Sequence, residues 1–123
     1  DYNQTPVVWR YPMIIAALSL ALVLSLNIAP AIAADEGSAA ITAIGEINGI
    51  ALACQQMAIV SRARNAVATT APKTRANGEI FEEATNSNFL AFGKDKKTCP
   101  DAATLAQRLN DAEQRLSSAF TQK

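Results

Sequence analysis

Apolar and small residues recur at spacings of three and four between Ser38 and about Thr70, with Ile44, Ile47, Ala51, Cys54 and Ala58 on one helical face. This pattern predicts one long helix, capped by Ser38, with Asp35 and Glu36 at the positive end of its dipole. Pro72 ends it or forces its last residues out of helical geometry. A second helix is expected from about Thr74 to Phe92, where Phe81, Ala84, Asn88 and Phe92 share a face near Ile80 and Leu90, so that the rings plug the core. Gly78 and the Asn86-Ser87-Asn88 cluster are where it would break, and Gly93 is its natural stop. The most regular stripe comes last: Ala102, Leu105, Leu109, Ala112, Leu116 and Ala119. It lies behind an opening turn Thr98-Cys99-Pro100-Asp101, in which Thr98 is the expected cap. No alternating strand pattern competes. The expected fold is all-α, a small bundle of three helices, one long and two shorter that fold back over it.

Upstream, an apolar run from Met13 to Leu26 follows Arg10 and is broken by Asn27 and Pro30. Ala31-Ile32-Ala33 then supplies small residues at the spacing a signal peptidase reads. Residues 13–34 therefore read as a secretory signal peptide cleaved after Ala33 or Ala34. On that reading residues 1–34 are an N-terminal extension plus signal, and residues 35–123 are a single exported domain, periplasmic or secreted. The competing reading is an uncleaved anchor, since the segment is just long enough to span a bilayer. A membrane is a partner only in that case. The sequence opens on Asp1, so it is a fragment or its start lies elsewhere, as at Met13.

Export changes the meaning of the two cysteines. In a small secreted chain Cys54 and Cys99 are expected to form one disulfide, tying the start of the third helix to the middle of the long one. Two sulfurs fall short of a metal site and the chain has no histidine to complete one, so neither metal nor cofactor is expected. Gly45 and Gly49 stand four apart, and Ala53 continues their row. Glycine inside a helix costs up to about 1 kcal/mol against alanine, so the row calls for a reason. The reading is a groove that another helix approaches closely, in this chain or in a second copy; a kink is the alternative. Glu46, Asn48, Gln55 and Gln56 interrupt the apolar flanks that a membrane helix pair would show.

Charge narrows the partners. Lysines and arginines equal aspartates and glutamates at 11 each, which gives no reason to expect a polyanion. Arg62, Arg64, Lys73 and Arg75 form a local excess, because no acid occurs between Ile47 and Gly78. They read either as a solvated helix C-terminus or as a patch for an anionic partner. Nucleic acid is not expected, since no aromatics interleave the patch. With no histidine, the commonest acid-base group near neutral pH is missing. Glu79, Glu82 and Glu83 could bring two carboxylates together but read better as a solvated face. Ser61 lacks both an activating base and an elbow motif. No glycine falls in a phosphate-binding arrangement. The chain is therefore expected not to be an enzyme, but a small exported interaction or structural module whose partner is an unidentified protein or itself. In size, helical content, export and a single disulfide with a similar gap, residues 35–123 resemble the acid-stress chaperone family of HdeA. The resemblance is architectural and carries over no residues. It implies an alternative role as an envelope holdase that senses acid through carboxylates such as Glu79, Glu82 and Glu83.

Overall fold

The computed structural model describes residues 29–121, with side chains from Glu36 onward. Most of residues 13–34, the stretch expected to be a signal peptide, and every residue before Ala29 lie outside the described residues. The stretch Ala33–Lys123 forms one compact unit. The described residues are helical, in four helices rather than three: α1 (Ala29–Ala53), α2 (Met57–Thr70), α3 (Arg75–Lys94) and α4 (Ala102–Thr121). Among them no helix is long and apolar enough to cross a membrane.

The long helix expected over Ser38–Thr70 is cut at Cys54-Gln55-Gln56. The cut has the hydrogen bonds of a Schellman stop. The Gln56 amide donates to the Ala51 carbonyl at 2.8 Å, the Gln55 amide donates to Leu52 at 3.3 Å, and Gln55 takes a left-handed φ of 57°. Gln56 then starts α2, its carbonyl accepting from the amides of Ile59 and Val60. The break resets the apolar stripe. Ile41, Ile44, Ile47 and Ala51 are buried on α1, but the core residues of α2 are Ile59, Val60 and Ala63, while Ala58 is exposed. Continuing the first stripe as one helix would have turned Gln55, Ala58 and Arg62 inward. The turn instead lets Ile59 and Val60 face the core, which outweighs the cost of holding a glutamine in the left-handed region.

Other boundaries also shift. Ser38 sits inside α1 rather than capping it. Pro72 acts as expected: Ala71 before it is extended, and Thr74 caps α3 by accepting from the Asn77 amide at 3.1 Å. Neither Gly78 nor the Asn86-Ser87-Asn88 cluster breaks α3, and Gly93 lies within it. The stop comes at Lys96, whose φ is 50°, with the Lys97 amide reaching back to Phe92. The cap of α4 is Asp101, not Thr98: its Oδ1 accepts from the Thr104 amide at 2.7 Å.

Contacts fix the direction of each helix. Cys54 at the end of α1 meets Cys99 just before α4, whereas Gly37 near the start of α1 packs under the Phe120 ring near the end of α4. These two helices are therefore antiparallel. Gly45 faces Phe81 and Ala84 of α3, and Gly49 faces Thr85, Asn88 and Phe89, so α3 runs parallel to α1. Along α2 and α4, Gln56 meets Pro100 and Arg62 meets Asn110 and Glu113, which makes them parallel to each other. The result is an up-down-up-down bundle around Ile41, Ile44, Ile47, Ile59, Val60, Phe81, Leu105, Leu109 and Leu116. Phe81 is the one phenylalanine fully inside. Phe92 is half-buried, and Phe89 and Leu90 are exposed, so the expectation that the α3 rings plug the core holds for Phe81 alone.

Candidate functional site

Two places concentrate unusual residues: the seam between α1 and α3, and the disulfide end of the bundle. At the seam, a Cβ added to Gly45 would come within 2.7 Å of the Ala84 Cβ and 2.9 Å of the Phe81 carbonyl oxygen. One added to Gly49 would meet the Asn88 Cβ and the Phe89 amide at 2.9 Å and press harder still on the Thr85 carbonyl. Both glycines are therefore points where the backbones of two helices nearly touch. Ala53, the third member of the row, is half-buried at the last turn of α1. Between the glycines lies Asn48, wholly buried, whose Nδ2 donates to the Thr85 hydroxyl at 3.1 Å. Its Oδ1 accepts no hydrogen bond from the described residues. An apolar pair there would escape that desolvation penalty, so the Asn48–Thr85 bond is best understood as fixing one register of α1 on α3. In the sequence Asn48 reads as a polar interruption. Its spacing from Ile44 and Ala51 could have placed it on the buried face.

At the disulfide end, Cys54 and Cys99 stand at disulfide distance with Cα atoms 5.7 Å apart. Beside them the Gln56 Nε2 donates to the Pro100 carbonyl at 2.8 Å. The cross-link joins the end of α1, not the middle of a longer helix, and two fastenings in neighbouring positions hold the α1–α2 turn against the start of α4. Among the described residues three large apolar side chains are exposed: Met57 (57%) opens α2, and Phe89 (44%) and Leu90 (66%) lie in the last turns of α3. The charged segment Lys94-Asp95-Lys96-Lys97 follows directly. The Phe89 backbone amide is one of the parts of α3 that rest on Gly49, beside the Thr85 carbonyl and the Asn88 Cβ.

The four cations of the sequence patch do not converge. Arg62 turns to α4, bonding Asn110 at 2.7 Å and pairing with Glu113 at 3.1 Å. Arg75 pairs with Glu79 four residues on, while Arg64 and Lys73 are exposed on α2 and on the α2–α3 connection. Exposed pairs of this kind contribute at most about 1 kcal/mol. Glu82 and Glu83 are exposed on α3, and Ser61 is exposed on α2. Among the described residues no three acidic, cysteine or histidine side chains gather as metal ligands.

Asp101 titrates in a way that affects the same end. Its carboxyl is held below the usual carboxylate range, chiefly by its side-chain hydrogen bond with Thr104 and next by the Thr104 backbone. A carboxylate whose folded pKa is lowered stabilises the fold at pH above its unfolded value, and that contribution fades as pH falls through the folded value. Protection of the Thr104 amide from hydrogen exchange, corrected for intrinsic rate, should therefore decline on acidification through and below the carboxylate range. Asp101→Asn keeps a cap and should remove this pH dependence. Equal acid sensitivity in the variant would contradict it. Comparison with protein-family models, curated proteins and solved structures returned no match for this chain.

Proposed function

We propose that the chain is an exported helical interaction module, periplasmic or secreted, whose contact surface is the disulfide end of the bundle. The observation that carries this reading is the exposure of two consecutive large apolar residues, Phe89 and Leu90, on a helix pinned by its contact with Gly49. Single exposed apolar residues are ordinary, but adjacent large ones on a rigid helix, bordered by charges, have the anatomy of a small binding patch. On the reading of residues 13–34 as an export signal, the proposed partner is one of the envelope or of the outside of the cell. A photo-crosslinking residue at Leu90, activated in expressing bacteria, should give a discrete adduct that Phe89→Glu abolishes. The same residue at Arg108, on the outer face of α4, should give none. No adduct at Leu90, or equal adducts at both positions, would remove this surface from consideration.

A second reading, the acid-activated holdase, draws on the Asp101 cap. Protonation of Asp101 would weaken the cap of α4, whose neighbour Pro100 meets Gln56 of the α1–α2 turn. It requires that the protein suppress aggregation of a client at acidic pH and not at neutral pH. A protein that stays fully folded in acid and protects nothing would end it.

A further inference from the structure

The turn between α1 and α2 is short, and its central residue is in the wrong conformation for its type. Gln55 is not a glycine, yet it holds a φ of 57°. It is exposed, so no side-chain contact explains the choice. The residues on both sides are helical, and the three-and-four spacing from Ser38 to Thr70 runs through the turn with no proline or glycine at the break itself. Returning Gln55 to helical geometry would fuse α1 and α2 into one straight helix and carry α1 off its own α3 and α4.

We infer that this turn is a hinge for exchange of α1 between two copies of the chain, with a second copy as the partner. In the exchanged dimer α1 of each copy lies on α2, α3 and α4 of the other and remakes every contact it had: the glycine seam, the Asn48–Thr85 bond and the Gly37–Phe120 stack. The two forms then differ mainly at the hinge, where the dimer relieves two left-handed glutamines, and in the entropy of association, which favours the monomer at low concentration. The cysteines record which form was present when they closed. In the monomer Cys54 lies against Cys99 of its own chain; in the exchanged dimer it lies against Cys99 of the second copy. Closure takes two protons and two electrons from each thiol pair, and oxidised glutathione accepts them and leaves as two reduced molecules. Once closed, the bond prevents α1 from changing places. The hinge is independent of the partner patch proposed above, because neither hinge variant below alters Phe89 or Leu90.

The test mixes isotopically heavy and light protein, both reduced and unfolded, and refolds them in a glutathione redox buffer at low and high protein concentration. At high concentration a dimer is expected whose Cys54–Cys99 peptides join heavy to light chains, and which returns to monomer on reduction followed by dilution. Gln55→Gly suits the left-handed turn and disfavours the straight helix. It should shift each hinge about tenfold toward the closed form, and the dimer constant, with two hinges, about a hundredfold. Gln55→Ala removes the same side chain without easing the turn and should leave the dimer as abundant as before or more so. A chain that remains monomeric at every concentration overturns the inference. So does a dimer whose Cys54–Cys99 peptides are never mixed, or an equal response to the two substitutions.

Discussion

Replacing Cys54 and Cys99 together by serine should lower the unfolding free energy by about 4 kcal/mol, the chain-entropy value for a sequence separation of 45. In a domain this size that is a large share of a total that runs to about 5–15 kcal/mol. The loss should not be uniform. Denatured-state entropy weakens every part of the fold, but the turn also loses its covalent fastening, leaving the Gln56–Pro100 bond as the nearest remaining tie. Urea unfolding of the double variant and the parent, followed by circular dichroism, gives the total. Hydrogen exchange at Gln55 and Gln56 gives the local part. A midpoint within error of the parent would show that the cross-link does not constrain the unfolded chain as its span requires.

Gly49→Val should destabilise the fold by about 3 kcal/mol, at the upper end of what overpacking costs. The position has little slack, because the atoms in the way are the α3 backbone at Thr85 and Phe89 and the Asn88 Cβ, none of them the free end of a flexible side chain. Gly78→Ala tests the opposite case. Nothing lies within 4 Å of a Cβ there, and the residue is exposed on α3, so the change should stabilise by about 0.5–1 kcal/mol through helix propensity alone. The same chemical step taken at the seam, Gly49→Ala, should fall on the destabilising side. Thermal melts of the three variants check the series. If Gly49→Ala and Gly78→Ala shift the midpoint in the same direction, α1 and α3 are not in backbone contact in solution.

What the sequence made legible were the elements whose signals are local and redundant. The stripe of α4 returns in its core as Leu105, Leu109, Ala112 and Leu116. Pro72 and Thr74 mark a real boundary because proline acts on the residue before it and a threonine hydroxyl on the amide three residues on. The two left-handed stops were not legible. Glycine is the usual marker of such a stop, but here the conformation falls on Gln55 and Lys96, while Gly78 and Gly93 sit inside a helix. The sequence does carry one signal for the first stop. A single continuous stripe from Ile44 to Thr70 would have to carry Gln55 and Arg62 inward and leave Ile59 and Val60 off its centre. At the candidate site, the exposure of Phe89 and Leu90 was hidden for a related reason. Composition assigns large apolar residues to the core, and only the crossing point at Gly49 shows that the last turns of α3 have run past it.

The bundle's wiring also has a mechanical meaning. The outer ends of α1 and α4 meet at Gly37 and Phe120, and the two helices run side by side from there to the Cys54–Cys99 link. A pull on those ends loads their contacts one after another, as in opening a zip, so the pair should part at low force. The tear must stop at the sulfur bridge. Everything between Cys54 and Cys99, including all of α2 and α3, lies outside the line of tension and adds no length to the stretched chain. The molecule would behave as a short extensible tether with a shielded knot, and the segment carrying Met57, Phe89 and Leu90 would stay out of the load path while its flanks were drawn out.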